Sequence, residues 1–351
     1  MRPKVAFSAL TVPNVTKGRE VEAMVAGGDI VSYGADNNFP AYLWTMYTQS
    51  PTHQSIVDGK VDYICGGGVA GDFGAINSKG ETIAGLLHKV AMDKILFGGF
   101  AIQVVFNKLQ EITDLFWVDF SKLRTNRQGD RVYFRNDWAS HTEMIEYDIF
   151  DLRKANKTSQ ILYYRGLNCR SIYPLPSYFA ALNAIETEGE VQTFHLSSIR
   201  NNFAASAVIQ FNNGVPSDEE REQIEEQINA KFSGASNAAK LLIMYNESPD
   251  TKTIIDRLET DNFDERFGRL GKDTQRNIFI AHRVTSPSLF GVVPENTGFT
   301  RQEYVESFEV FNKTVIQPQQ REITEQIRRI FPDREFSIKP FISDSETFSR
   351  V

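Results

Sequence analysis

Residues 282–300 read HRVTSPSLFGVVPENTGFT. Helical patterns flank this stretch on both sides, yet it holds Pro287, Pro294, Gly291 and Gly298 inside an apolar run. The prolines limit the freedom of the unfolded chain and the glycines allow bends. Leu289, Phe290, Val292 and Val293 stand at its tip, where a surface loop would normally be polar. An apolar, punctuated loop between long helices predicts a moving part or a contact with another subunit.

Working outward, residues 262–283 form the helical pattern upstream of the loop. At 100° per residue, Phe267, Leu270, Thr274, Ile278 and Ala281 fall on one side. Arg266, Arg269, Lys272, Arg276 and Arg283 gather on the other, with Glu265 and Asp273 among them. This strip reads either as a solvated face or as a basic rail toward DNA phosphate or an acidic neighbouring subunit. Downstream, Thr300 and Glu303 fit a capping box. A helix of about thirty residues then carries Tyr304, Phe308, Phe311, Val315, Ile323, Ile327 and Ile330, with a kink expected at Pro318.

Further upstream, SIYPLPS at residues 171–177 marks a boundary, and a helix is expected over residues 178–203. At ~1.5 Å per residue it would span roughly 40 Å. Its apolar positions, Leu182, Ile185, Leu196, Ile199 and Phe203, are loosely spaced, so burial within one chain looks incomplete. Between the two helices lie AVIQF, a capped helical run from Ser217 to Phe232, and KLLIMY. These predict a strand–helix–strand module. The first half is mixed: helices over Ala41–Ile64 and residues 82–96, a strand at Phe100–Phe106, a hairpin around Asn126–Asp130 and a strand near Ile161. The fold class is therefore α+β.

Composition narrows the function classes. The chain has 351 residues, a net charge of −7 and 41% hydrophobic content, which suits two or three domains with a sizeable core. Net acidity argues against tight, sequence-reading DNA binding. No apolar run approaches the ~20 residues of a membrane span, and residues 1–14, MRPKVAFSALTVPN, lack a secretory core, so a cytosolic protein is expected. Cys65 and Cys169 cannot make a disulfide framework or a four-thiolate metal site. The histidines 53, 88, 141, 195 and 282 are scattered, and no metalloprotease, P-loop or nucleophile-elbow motif occurs. GGGVAG at Gly66–Ala70 and Gly71 formally fits a dinucleotide fingerprint, but it ends a helix instead of opening one. No catalytic residue, metal site or cofactor is expected. An α+β enzyme using Asp119 or Asp137 is the alternative, with a ring or adaptor scaffold as a third reading.

The order of parts carries more than any motif. YGADNNFPAYLW and HQSIVDGKVDYICGGGV, then GGFAIQVVF and FWVDFSKLRTNRQGDRVYF, then YPLPSYFAALNAI, and above all AHRVTSPSLFGVVPENTGFTRQEYVESFEVFNKTVIQPQQREI, together resemble the portal proteins of tailed bacteriophages. The resemblance covers roughly residues 30–332. It implies a wing at 1–177, stem helices at 178–203 and 262–283, a clip at 204–261, a tunnel loop at 284–299 and a long kinked helix at 300–331. The tunnel loop would hold Pro287, Leu289, Phe290, Gly291, Val292, Val293 and Pro294. The resemblance further implies a ring, usually of twelve subunits, at one capsid vertex of the virion, assembled in the host cytoplasm. Double-stranded DNA would pass through it without sequence specificity. Its partners would be the major capsid protein, the terminase large subunit and a head–tail adaptor, with no membrane. Many portals continue into a helical crown. Here residues 332–351 leave room only for a short tail or the strand-like EFSIKPF.

Overall fold

Helix α1 (Phe39–Gln49) and helix α2 (Pro51–Cys65) are separate in the computed structural model, although the apolar spacing suggested one helix over Ala41–Ile64. The break has a local cause. A residue before proline avoids the helical region, and Ser50 is extended at φ −112° and ψ 107°. Its hydroxyl then accepts the His53 amide at 3.1 Å and caps the second helix. The structure describes residues 29–140, 142–154, 158–166, 172–200, 208–211, 242–245, 263–292 and 301–341. They divide into two compact units, one within Met1–Ile185 and Asn277–Val351, the other within Glu186–Arg276.

In the first unit, α2 runs into Gly66–Gly68 and strand β1 (Val69–Ala70). The glycines do more than stop a helix. Gly66 has φ +58°, and a Cβ there would stand 2.3 Å from the Lys339 carbonyl oxygen. The run is the seat on which the C-terminal strand Ser337–Ile338 pairs antiparallel with β1. Phe336 beside it is fully buried and anchors the strand-like EFSIKPF to this unit's core.

Helix α3 (Ile83–Phe97) starts at Thr82, whose hydroxyl accepts the Gly85 amide at 3.2 Å, and ends at Gly98 with φ +83°. It feeds β2 (Phe100–Phe106), the centre of an antiparallel sheet with β3 (Ile112–Val118) on one side. Strands β4 (Leu123–Thr125), β5 (Arg131–Phe134) and β6 (Ile145–Asp148) form a second antiparallel sheet. The β4–β5 turn is built on Asn126, whose side-chain oxygen accepts the amides of Gly129, Asp130 and Arg131. Strand β7 (Ser159–Tyr164) completes the first sheet, with Phe100 opposite Tyr164 and Val105 opposite Ser159. Phe100, Ile102 and Val104 of β2, Leu86, Leu87 and Val90 of α3, and Ile56, Val57 and Ile64 of α2 are all buried in one core. Burying each such side chain stabilises the fold by about 1.5–3 kcal/mol.

Helix α4 (Leu182–Arg200) begins in the first unit, where Leu182 and Ile185 are buried, and continues in the second, where Phe194 and Leu196 are exposed. Ile199 and Phe203 lie outside the residues whose side chains are described. In the second unit, β8 (Val208–Phe211) pairs in parallel with β9 (Leu242–Tyr245). Parallel strands need a crossover between them, which is compatible with the strand–helix–strand order. The expected helix from Ser217 lies outside the described residues. Helix α5 (Phe263–Ala281) carries exposed Leu270 in this unit and ends in the first, where Ile278 and Phe279 are buried.

Back in the first unit, α6 (Arg301–Phe311) and α7 (Gln317–Ile330) are joined by a π-turn at Asn312–Ile316. Pro318 has no amide to give and its ring crowds the carbonyl four residues back. A π-turn lies just upstream of Pro318, the residue at which the sequence suggested a kink. Buried Lys94 of α3 and half-buried Glu322 of α7 form an ion pair, and the Tyr164 hydroxyl of β7 donates to the same carboxylate at 2.6 Å. Burial pushes the Lys94 pKa down, and the Glu322 carboxylate beside it works the other way.

Removing one member of a buried pair leaves the other uncompensated. Glu322→Leu alone is expected to destabilise the protein by about 3–5 kcal/mol. Lys94→Met combined with Glu322→Leu should recover most of that loss, as read by thermal or denaturant unfolding of both variants.

Candidate functional site

The last turn of α5 closes with paired bonds from Val284 N to Phe279 O at 3.0 Å and Arg283 N to Ile280 O at 2.9 Å. This is a Schellman arrangement, in which the residue after the cap is left-handed and is usually glycine. Here it is Arg283, at φ +57°. Something else must hold the terminus in place against that cost.

Lys60 of α2 does so. Its ammonium donates to the His282 carbonyl at 2.8 Å, satisfying an orphan group at the negative end of the helix dipole. The same nitrogen lies 3.1 Å from His282 Nδ1. With Lys60 donating there, His282 carries its proton on Nε2, which faces His53 Nδ1 at 2.9 Å. His53 Nε2 then has no hydrogen-bond partner among the described residues. Tyr178 stacks on the His282 ring at 5.0 Å and meets the His53 ring edge-on at 4.4 Å. Lys60, His53 and His282 are all buried. Spacing could not reveal this cluster, because His53 and His282 are 229 residues apart.

Burial works against every charge here. It holds His53 down at about 3, with Lys60 adding to the effect, and pushes His282 well below the usual histidine range. It brings Lys60 down to about 7, with Arg283 nearby contributing. An unfolded histidine titrates near 6.5 and a lysine near 10.4. Between about pH 6.5 and 3 the unfolded chain therefore binds more protons through His53, and stability falls as the pH drops. Between about pH 7 and 10 the unfolded chain binds more protons through Lys60, and stability rises with pH.

Beyond Arg283 the chain folds onto α2 and α6. Thr285 Oγ1 donates to the Ser307 carbonyl at 2.8 Å, and residues Pro287–Phe290 form a 3-10 turn closed by Gly291 at φ +80°. Tyr63 Oη donates to the Leu289 carbonyl at 2.9 Å, and Ser55 Oγ to the Phe290 carbonyl at 3.3 Å. The Phe290 ring meets Tyr63 and Phe311 edge-on at 6.0 and 5.7 Å. It also lies over Gly59, where a Cβ would come within 2.7 Å of its Cδ1.

The apolar run was expected to stand at a loop tip. Leu289 is instead buried, and Phe290 is half-buried against its own chain. The reason is non-local: α2 supplies a glycine and a tyrosine hydroxyl that fit this turn. Val292 is half-buried, Pro287 is half-buried, and Val293 and Pro294 lie outside the described residues. Of the basic strip, Arg269, Lys272 and Arg276 are exposed on α5. Arg283 is exposed but lies past the end of the helix, and the side chain of Arg266 is outside the described residues.

The carboxylates weighed for catalysis hold local turns. Asp119 caps the turn Phe120–Lys122 and pairs with Lys122 at 3.7 Å, and Asp137 accepts the Ala139 amide at 2.9 Å. Asp119 pairs with Lys122 and not with the nearby Arg124. Arg124 is buried and donates instead to Asn37 and to the Ser121 and Leu123 carbonyls. Burial pushes the Cys65 thiol up to about 11, and Cys169 lies outside the described residues. Among the described residues no cluster of three or more metal-ligating side chains occurs.

With this geometry in place, comparisons add family information. A family model described as phage portal protein matches residues 78–343. No curated protein sequence matches the chain. Among solved structures, a chain from the neck of an empty gene transfer agent particle, computed with C6 symmetry, has a TM-score of 0.56 at 12% identity, covering 88% of this chain and 86% of its own. A chain from the virion of a native gene transfer agent particle gives 0.55 at 12% identity, covering 89% and 86%. A chain from the native neck computed with C12 symmetry gives 0.50 at 13%, covering 82% and 78%. At such identities these likenesses concern the fold.

Two outcomes follow from the local geometry. Gly59→Ala should destabilise the protein by about 1–3 kcal/mol by driving Phe290 off its seat. In a Phe290→Ala background that cost should largely vanish, a coupling that a double-mutant cycle by thermal unfolding would read directly. Lys60→Met should also flatten the rise in unfolding midpoint between pH 7 and 10, a slope the unmodified protein should show.

Proposed function

The chain belongs to the phage portal protein family, and on that premise we propose that it assembles into a ring of twelve copies that forms a DNA channel at one vertex of a virion. The match over residues 78–343 carries this reading. The C12 and C6 symmetries used for the gene transfer agent necks support a ring of related subunits. A head-to-tail ring gives each copy a neighbour on both sides. Exposed Phe194 and Leu196 on α4 would then find the burial they lack in the single chain.

In this reading double-stranded DNA enters during packaging and leaves during ejection, without sequence-specific contacts. Residues 204–261 meet the terminase large subunit and later the head–tail adaptor, and the outer surface contacts the major capsid protein. A conduit works best with weak attraction to its cargo. The net charge of −7 with a short exposed run of Arg269, Lys272 and Arg276 fits that requirement. The tunnel-loop role falls to the residues from Gly291 onward, because Leu289 and Phe290 are occupied as anchors. The role is structural and needs no cofactor.

Light scattering and negative-stain microscopy test the ring. The expected result is a particle of about twelve times the 39.8 kDa chain mass with a central hole; a stable monomer under particle-assembly conditions would count against it. Reversing charge at Arg269, Lys272 and Arg276 should lower the DNA held per particle while shifting stability by less than about 0.5 kcal/mol. Rings that fail to form would move the strip to a subunit interface, and unchanged rings with unchanged packaging would remove it from the channel.

A further inference from the structure

Leu109 is 77% exposed, more than any other large apolar side chain among the described residues. It sits at the tip of the β2–β3 hairpin, between Phe106 and Ile112. Asn107 builds the turn. Its side-chain oxygen accepts the Leu109 amide at 2.8 Å and the Glu111 amide at 2.9 Å, and its side-chain nitrogen donates to the Glu111 carboxylate at 2.8 Å. Gln110 closes the turn at φ +66°. A turn fixed in this way presents its side chains with little further ordering on contact. Lys108 beside Leu109 is exposed, and no carboxylate among the described residues pairs with it. The hairpin therefore projects an apolar side chain and an unpaired ammonium on a firm stalk.

The first unit also carries a hollow of the complementary kind. The chain's three tryptophans, Trp44, Trp117 and Trp138, line one cavity of about 560 Å³ together with Pro40 and Met92. Two of them are fixed. Trp117 Nε1 donates to Asp93 Oδ2 at 2.8 Å, and Trp138 Nε1 to the Lys122 carbonyl at 2.9 Å. Trp44 rests only partly against Tyr47 and is 51% exposed. The cations of the lining have partners: Lys89 pairs with Glu81, Lys122 with Asp119, and Arg124 donates to Asn37 and to backbone carbonyls. Asp137 is exposed in the same lining and has no lysine or arginine partner among the described residues. The cavity thus lacks an apolar side chain over Trp44 and a cation beside Asp137.

The hairpin cannot fill the cavity of its own copy. The cavity lies at the Trp117 end of β3, and the turn lies beyond the Ile112 end. The strand is paired to β2 over that length, which holds the two ends roughly 17 Å apart at ~3.4 Å per residue. A tip at one end and a hollow at the other is what a head-to-tail contact requires, since each copy then gives one and receives one.

We propose that Lys108 and Leu109 of one copy seat in the Trp44–Trp117–Trp138 cavity of the next, with Leu109 against Trp44 and the Lys108 ammonium beside Asp137. This inference rests on the ring reading and names a contact that would join neighbouring copies through their first units.

All three tryptophans line this cavity, so intrinsic fluorescence reads it without a label. The full chain is followed by light scattering and tryptophan emission as its concentration is raised through assembly. Emission is expected to move to the blue, and acrylamide quenching to weaken, in step with the rise in mass. Leu109→Ser should raise the concentration of half-assembly by roughly tenfold or more and remove the fluorescence change. Asp137→Lys should also weaken assembly, and adding Lys108→Asp to that chain should restore it, because each copy supplies both halves of the pair. Far-UV circular dichroism of the dilute variants confirms that each is folded. Assembly of the full chain with unchanged emission and quenching would overturn the proposal and leave the ring standing. So would a Leu109→Ser chain that assembles and fluoresces as the unmodified one does. A full chain that stays monomeric at every concentration would remove the ring reading and this contact with it.

Discussion

A lysine buried among two histidines is expensive, and Lys60 is tolerated because of what its ammonium touches. It meets the last carbonyl of α5 at 2.8 Å, where the helix dipole is negative and the backbone has no other partner. Several local features depend on that contact. It fixes the helix end at which Arg283 takes a left-handed conformation that glycine would adopt without cost. It sets the tautomer of His282 and so the direction of the bond to His53. From that point the chain has little choice but to lay Leu289 and Phe290 on α2, where Gly59 leaves room and Tyr63 supplies a donor.

The segment after α5 thus has two parts with different physics. Residues up to Phe290 are tied into the same core as α2, α6 and the π-turn, through Tyr63, Phe308 and Phe311. Gly291 turns with a positive φ, and Val292 is the last described residue there that still packs against that core. The anchor is supplied by the chain itself and requires no neighbour.

Periodicity made most elements of the first unit legible. The strand Phe100–Phe106, the hairpin around Asn126, and the helix Ile83–Phe97 all carry local signals, a capping hydroxyl, a turn asparagine or a glycine stop, and the structure builds each from those signals. The Ser50–Pro51 break was written in the sequence as well, but the apolar spacing of Leu43, Met46 and Ile56 ran across it and hid it. What stayed hidden had non-local causes. Gly66 reads as a helix terminator, yet its closest constraint is the Lys339 carbonyl. His53 and His282 look unrelated until the fold brings them to 2.9 Å. Leu289 and Phe290 look like exposed apolar residues because the glycine and tyrosine that receive them lie in a different helix.

The account rests on α5 ending in a rigid, own-chain joint, and amide hydrogen exchange measures that joint directly. In the isolated protein the amides of His282, Val284, Leu289 and Gly291, all bonded to backbone carbonyls, should exchange as slowly as those of α2. Replacing Lys60 should release them while α3 and β2 stay protected. Rapid exchange across these residues in the unmodified protein, at the rate of an open loop, would contradict it.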